Sequence, residues 1–138
     1  MTDSLREKLN SLERAYARLK EALELPLSED SIVLDAVIQR FEFTFELSWK
    51  TAKRFAEILG AGECNSARSC IKLAYKLGWI NEEGKWLSLL QARNLTSHTY
   101  SLEIALYVYE TLKEAHTCFE KLILSLKREL QNLAGERG

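Results

Sequence analysis

Arg93 and His98 are the two side chains of this sequence whose types and spacing could do chemistry on phosphate. Asn94 to Ser97 lie between them, and Tyr100 follows two residues after His98. An arginine guanidinium can hold a phosphodiester through two parallel hydrogen bonds at any biological pH. A histidine titrates near neutrality, so it can take or return the proton of a ribose 2′-hydroxyl. The segment therefore predicts a phosphate site whose chemistry requires no metal.

A helix is predicted to carry this pair, and helix geometry restricts how the two side chains can meet. Residues five apart on an α-helix point about 140° away from each other. Arg93 and His98 can therefore converge in two ways. Either the helix ends before His98 and the imidazole folds back, or two chains meet so that each site uses groups from both.

The size and charge of the chain limit its class and its partners. Its 138 residues with 46% hydrophobic content predict one domain, residues 1–138, that buries roughly two thirds of its unfolded surface. The 19 Lys and Arg against 20 Asp and Glu give a net charge of -1, so any contact with a nucleic acid must be local. Neither a signal-like apolar N-terminus nor a run of roughly 20 apolar residues is present, so we expect a cytoplasmic protein without membrane contact.

The three cysteines carry no sign of a metal or redox motif. Cys64, Cys70 and Cys118 are an odd number, and they lack the tight paired spacing of a zinc ribbon. We expect ordinary reduced thiols.

Apolar residues recur at spacings of three and four, and with one proline and six glycines this predicts an all-α, up-and-down bundle of about five helices. Ser and Asp residues at 28–30, Ser66 and Ser101 are the expected helix N-caps, and Gly60 is an expected C-terminal cap. The predicted helices cover about 3–25, 30–59, 66–77, a segment from 86 that includes Arg93, and 102–130.

The second predicted helix carries two apolar faces. The broader face is formed by Leu34, Ile38, Phe41, Phe45, Trp49, Ala52 and Leu59, and the second face by Val33, Ala36, Phe43, Leu47 and Ile58. Because an outer helix of a bundle needs only one apolar stripe, the second face must meet another helix or another protein. With so few helices in the chain, we expect a partner protein.

Polar residues of the same helix are candidates for the site. Asp35, Gln39, Glu42 and Glu46 could line a substrate or partner cleft facing Arg93. Alternatively, Glu42, Glu46 and Lys50, which are four residues apart, form a solvated, ion-paired stripe. No histidine stands at helical spacing with these carboxylates, so we expect neither a metal nor a cofactor. Arg40 and Arg54 on this helix belong either to a basic groove or to the ordinary solvated surface.

Two separate motifs resemble one known family. The pattern Arg93-Asn94-x-x-x-His98-x-Tyr100 resembles the Arg-x4-His-x-Tyr signature of the HepT-like branch of the HEPN superfamily. The stretch from Asp35 to Lys50 resembles the second helix of its subgroup of nucleotidyltransferase substrate-binding proteins. The similarity extends from about Leu12 to Leu126, and the agreement of two motifs makes it specific.

The resemblance implies a helical bundle that forms a homodimer or higher oligomer and binds a minimal nucleotidyltransferase. It also implies a metal-independent RNase toxin whose site forms where two protomers meet. Arg93 would stabilise the phosphate charge, His98 would be the acid and base, and Asn94 would orient the phosphate or ribose. The transferase, as antitoxin, would add AMP to Tyr100. A phosphodiester on Tyr100 would place negative charge two residues from His98 and compete for Arg93.

Two other readings remain open at this point. The chain could be a non-catalytic binding subunit that delivers a substrate to the transferase or shapes the transferase site, with RNA or a nucleotide as a possible ligand. It could also be a structural dimer in which the Arg93 and His98 pair is a relic, with Tyr100 packing its ring at a helix start.

Overall fold

The computed structural model describes residues 2–27, 31–98 and 101–137, except for the side chains of residues 98, 136 and 137. Throughout this part of the chain the regular structure is α-helical, as the hydrophobic periodicity predicts. The helices are α1 Thr2–Glu24, α2 Ile32–Leu59, α3 Ala67–Lys76, α4 Glu83–His98, α5 Leu102–Ala115 and α6 Thr117–Arg137.

Helix α2 is the centre of the bundle, because it packs against each of the other five helices. Its most extensive contact is with α1, which also lies beside α6. The leucine stripe of α1 explains this position, since Leu5, Leu12 and Leu19 recur every seven residues and are completely buried.

The predicted last helix is interrupted at His116, which gives six described helices rather than about five. His116 keeps a right-handed helical backbone (φ -61°, ψ -28°). The backbone amide of Phe119 donates to the backbone carbonyl of His116 at 3.1 Å. This bond spans three residues rather than four, so the helix is tighter for one turn.

Local capping chemistry sets several helix ends. Ser66 accepts from the amide of Ser69 and forms a capping box, and Ser101 accepts from the amide of Ile104 at 3.1 Å. Gly60 ends α2 in the left-handed conformation, with φ 66°. These three caps confirm the prediction, whereas the expected caps at 28–30 lie outside the described residues.

The expectation that the whole second face of α2 meets a partner is wrong. Val33, Leu47 and Ile58 are partly buried against the chain's own core. Phe43 differs from these three residues, since 61% of it is exposed. The other helices therefore wrap further around α2 than its pattern alone suggests.

The expectation of reduced thiols is wrong for two of the three cysteines. Cys64 and Cys70 form a disulfide, and both are buried. The turn before α3 brings their Cα atoms to 5.0 Å, within the range that a disulfide requires. Cys118 is free, and burial raises the pKa of its thiol to about 11.

In the described part of the chain, none of the helices is both long enough and apolar enough to cross a membrane.

Candidate functional site

Arg93 reaches from α4 to two carboxylates on α2. Its Nη1 lies 3.6 Å from Oε2 of Glu42, and its Nε lies 3.5 Å from Oε1 of Glu46. Glu42 and Glu46 are one helical turn apart, so α2 presents both to the same guanidinium. The side chains are 24% exposed for Arg93, 35% for Glu42 and 34% for Glu46, so a ligand can reach them.

Two hydroxyl groups on the last turns of α4 complete this cluster. Arg93 donates through Nη1 to Oγ of Ser97, one turn further along α4. The hydroxyl of Thr96 lies 3.1 Å from Oε2 of Glu42 and 2.8 Å from the backbone carbonyl of Arg93. Sequence reasoning missed both residues, although their offsets of three and four from Arg93 would have placed them beside it.

The guanidinium of Arg93 is held by ion pairs, but not all of its donors have hydrogen-bond partners within the described residues. Its Nε is buried and has no hydrogen-bond partner within the described residues, although Glu46 is close enough for an ion pair. Its two ion-pair distances exceed the roughly 2.7–2.9 Å of a strong charge-assisted hydrogen bond. An anion that contacts the exposed part of the guanidinium could replace these long ion pairs.

Helix α4 continues through His98, which is its last residue. The arrangement in which the helix ends before His98 is therefore wrong, and the angle of about 140° between the two positions holds within one chain. Asn94 is exposed next to Arg93. The side chain of His98 and the whole of Tyr100 lie outside the described residues.

The structure divides the predicted polar stripe of α2. Glu42 and Glu46 lie at Arg93, and Glu46 also pairs with Lys50 at 3.6 Å. Gln39 instead lines a groove between α1 and α2. Asp35 is in the first turn of α2, seven residues and so about 10 Å along the helix axis from Glu42.

A second polar cluster, formed by Tyr16, His116 and Glu120, joins α1 to α6. The hydroxyl of Tyr16 donates to Oε2 of Glu120 at 2.5 Å and lies 3.1 Å from Nδ1 of His116. Burial and the Glu120 carboxylate raise the pKa of Tyr16 far above its usual range, and burial lowers the pKa of His116. Sequence reasoning placed Tyr16 only in an apolar stripe, because nothing local shows that residues 100 positions apart will meet.

No group of three or more His, Cys, Asp or Glu side chains is arranged to hold a metal ion in the described part of the chain. What the described residues offer is an all-α bundle with a partly exposed arginine held between two of its helices.

Comparison with known proteins identifies the family to which this helical bundle belongs. The family described as "Nucleotidyltransferase substrate binding protein like" matches residues 7–128. The chain belongs to this family.

Its relatives share both sequence and fold. "Probable ribonuclease HepT" of Haemophilus influenzae is 30% identical over 129 residues, which cover 83% of this chain and 86% of the relative. A solved structure from Thermus thermophilus is 32% identical, with a TM-score of 0.76 over 83% of this chain and 98% of that one.

A more distant structure shares the fold alone. It is described as the tri-AMPylated HEPN toxin of Shewanella oneidensis in complex with an MNT antitoxin. It is 19% identical, with a TM-score of 0.68 over 93% of this chain and 99% of that one.

Proposed function

We propose that this protein is the partner subunit of a minimal nucleotidyltransferase in a toxin-antitoxin-like pair in the cytoplasm. In this proposal it is a metal-independent RNase toxin, and Arg93 and His98 form its site. The observation that carries the proposal is the partly exposed Arg93 near the end of α4, whose long ion pairs to Glu42 and Glu46 can be exchanged for contacts to a phosphate. The Haemophilus influenzae relative, named as a ribonuclease, supports the same reaction class.

The proposed reaction is an internal phosphoryl transfer in RNA. An imidazole of His98 takes the proton of a ribose 2′-hydroxyl, and that oxygen attacks the adjacent phosphorus. The bond to the 5′-oxygen breaks, and an imidazolium returns a proton to the leaving oxygen, giving a cyclic phosphate and a free 5′-hydroxyl. Arg93 stabilises the charge that develops on the phosphate oxygens, and Asn94 orients the phosphate or ribose.

The proposed site needs two copies of the chain. Because α4 runs through His98, positions 93 and 98 of one protomer are about 140° apart around the helix axis. We therefore assign each phosphate to Arg93 of one protomer and His98 of a second protomer. A homodimer is the smallest assembly that provides this pairing.

Tyr100 is the proposed point of control. The Shewanella oneidensis fold neighbour, described as an AMPylated toxin with its antitoxin, supports the addition of AMP by the transferase. AMP on Tyr100 would add a negative charge two residues after His98. That charge would compete with RNA for Arg93 and stop cleavage.

An RNA-cleavage assay with purified protein in the presence of EDTA tests the proposal. The parent is expected to cleave single-stranded RNA, and Arg93→Ala and His98→Ala each to lose roughly 10²- to 10⁴-fold in rate. Arg68→Ala is the matched control for Arg93→Ala, because it removes the same side-chain type at an exposed position away from the Arg93 cluster. Parent-like cleavage by both site variants would exclude the assignment.

The alternative is a non-catalytic subunit that presents a substrate to the transferase. The charges of the cluster favour this alternative. The two cations Arg93 and Lys50 are balanced by the carboxylates of Glu42 and Glu46, so the described cluster has no net attraction for RNA. It predicts no cleavage at any dose and a transferase whose activity depends on this chain.

Intact-mass measurement after coexpression with the transferase separates the two functions. The toxin proposal predicts that the chain gains the mass of an adenylyl group, AMP less water, and that Tyr100→Phe prevents the gain. Tyr107→Phe, at an exposed tyrosine of α5, should not prevent it. An unmodified chain that nevertheless activates the transferase would support the substrate-binding function.

A further inference from the structure

A groove of about 670 Å³ separates the outer faces of α1 and α2. Arg14 and Arg18 line it from α1, and Gln39, Arg40 and Phe43 line it from α2. No carboxylate belongs to its described lining. It is therefore a cationic groove in a protein whose net charge is -1.

The three arginines are arranged across the groove. Arg14 and Arg18 are one turn apart, so they extend from the same face of α1. Arg40 donates through Nη1 to the backbone carbonyl of Arg18 at 2.8 Å, which ties its side chain to the opposite wall. Within the described residues none of the three guanidiniums pairs with a carboxylate, in contrast to Arg93 and to Arg54, which lies 3.9 Å from Glu57.

Phe43 adds an apolar surface to this groove. It is 61% exposed, while Val33, Leu47 and Ile58 on the same face of α2 are partly buried against the core. An exposed aromatic ring beside a row of cations suits a single-stranded nucleic acid, because bases stack on the ring while cations follow the phosphates.

The groove also supplies what the Arg93 cluster lacks. The charges of Arg93 and Lys50 cancel those of Glu42 and Glu46, so attraction for a polyanion must arise elsewhere on the surface. Gln39 of the groove and Glu46 at Arg93 are on the same helix, seven residues and about 10 Å apart along its axis. One strand could therefore occupy both places.

We propose that the Arg14, Arg18 and Arg40 groove holds the phosphate backbone of single-stranded RNA next to the Arg93 site, with a base stacked on Phe43. This inference rests on the proposed RNase function for its ligand. It assigns attraction for RNA and chemistry on RNA to two different places on the surface, one between α1 and α2 and one between α2 and α4. The groove binds the strand, and the Arg93 cluster acts on one of its phosphodiesters.

The test is equilibrium binding of a labelled single-stranded RNA oligonucleotide in EDTA, measured over a series of salt concentrations. His98→Ala serves as the background, so that no RNA is cut during the measurement. Adding Arg14→Glu and Arg18→Glu is expected to weaken binding about tenfold or more. The slope of log affinity against log salt should become shallower by about 1.4, since each lost phosphate contact removes roughly 0.7.

Arg68→Glu with Arg128→Glu is the matched control. It changes the net charge equally at two exposed arginines outside the groove, and it should leave the slope unchanged. Arg14→Lys with Arg18→Lys should preserve the salt slope, because the charges remain. Phe43→Ala should weaken RNA binding about fivefold or more and leave the salt slope unchanged. If charge reversal disturbs folding, Arg14→Gln with Arg18→Gln gives the same test without adding negative charge.

An unchanged RNA affinity in the groove variants would overturn the proposal, as would an equal loss in the Arg68 and Arg128 control. Loss of the transferase complex with unchanged RNA binding would also overturn it and would make the groove a protein-binding surface. Because binding is measured without cleavage, a parent that fails to cut RNA would count against the proposed function and not against the groove.

Discussion

The protein has two polar clusters that contain glutamate carboxylates, and the clusters differ in how closely their polar groups are packed. Between α2 and α4, Arg93 lies 3.5 and 3.6 Å from the carboxylates of Glu46 and Glu42, with about a quarter of its side chain exposed. Between α1 and α6, the hydroxyl of Tyr16 lies 2.5 Å from Glu120, and only 6% of Tyr16 is exposed.

The difference indicates separate roles for the two clusters. Tyr16 is packed against Phe119 with a ring-centroid distance of 5.8 Å, so its hydrogen bonds are sheltered from water and stabilise the fold. Arg93 makes long, partly exposed ion pairs, which add little to stability and can be exchanged for contacts to a ligand. Changes at the Arg93 cluster should therefore alter activity, and changes at the Tyr16 cluster should alter folding.

The largest expected effect is on RNA cleavage by Arg93→Lys. Lysine keeps the positive charge but loses the planar fork that can hold a phosphate through two hydrogen bonds. We expect the rate to fall by about 10², while the free energy of unfolding changes by less than about 0.5 kcal/mol. A parent-like cleavage rate under single-turnover conditions would show that a positive charge at position 93 is sufficient for cleavage. A large loss of stability would contradict the difference in role between the two clusters.

Reduction of the Cys64–Cys70 disulfide tests a feature outside both clusters. The bond joins the segment after α2 to Cys70 in α3, and it closes a short loop with a sequence separation of six. By loop-closure entropy, reduction should lower the free energy of unfolding by about 2 kcal/mol. Denaturant unfolding with and without a reducing agent measures this loss, and Cys64→Ser with Cys70→Ser should show no response to the reducing agent.

Tyr16→Phe should affect stability and leave cleavage unchanged. The substitution keeps the buried ring but removes the hydroxyl that joins α1 to Glu120 and His116. We expect the free energy of unfolding to fall by about 1.5 kcal/mol, the scale of a hydrogen bond to a charged group. Tyr107→Phe, at an exposed tyrosine, is the control, and equal losses in the two variants would contradict a structural role for the Tyr16 cluster.

The smallest expected effect is on the pH dependence of folding through His116. Burial lowers its pKa in the folded protein, so on acidification the unfolded chain binds the proton first. The stability from its neutral imidazole is present above the unfolded-state pKa near 6.5 and is lost as the pH falls through the folded-state pKa. His116→Gln should therefore lose less stability than the parent between about pH 7 and pH 5, measured by denaturant unfolding. An identical pH dependence would contradict this effect.

Local patterns predicted much of the fold. The seven-residue leucine spacing of α1 and the caps at Ser66, Ser101 and Gly60 act over one or two turns, so the sequence displays them directly. The disulfide was missed, because spacing alone does not show that a turn brings Cys64 to Cys70.

The candidate site could be predicted only in part. Arg93 and the two carboxylates that meet it were among the predicted residues, whereas Asp35 and Gln39 of the same stripe lie elsewhere. Helical spacing puts four residues on one face but does not say where α4 crosses that face. The Tyr16 cluster depends on α1 meeting α6, which no local pattern reveals.

The most direct test of the central claim is complementation between two inactive variants. Arg93→Ala and His98→Ala chains are purified separately, mixed under conditions that exchange subunits, and assayed for RNA cleavage in EDTA. If Arg93 of one protomer acts with His98 of a second, the mixture should regain a clear fraction of the parent rate, although neither variant alone cleaves RNA. A mixture that stays inactive, although mass analysis shows mixed dimers and the parent cleaves RNA, would contradict the shared site.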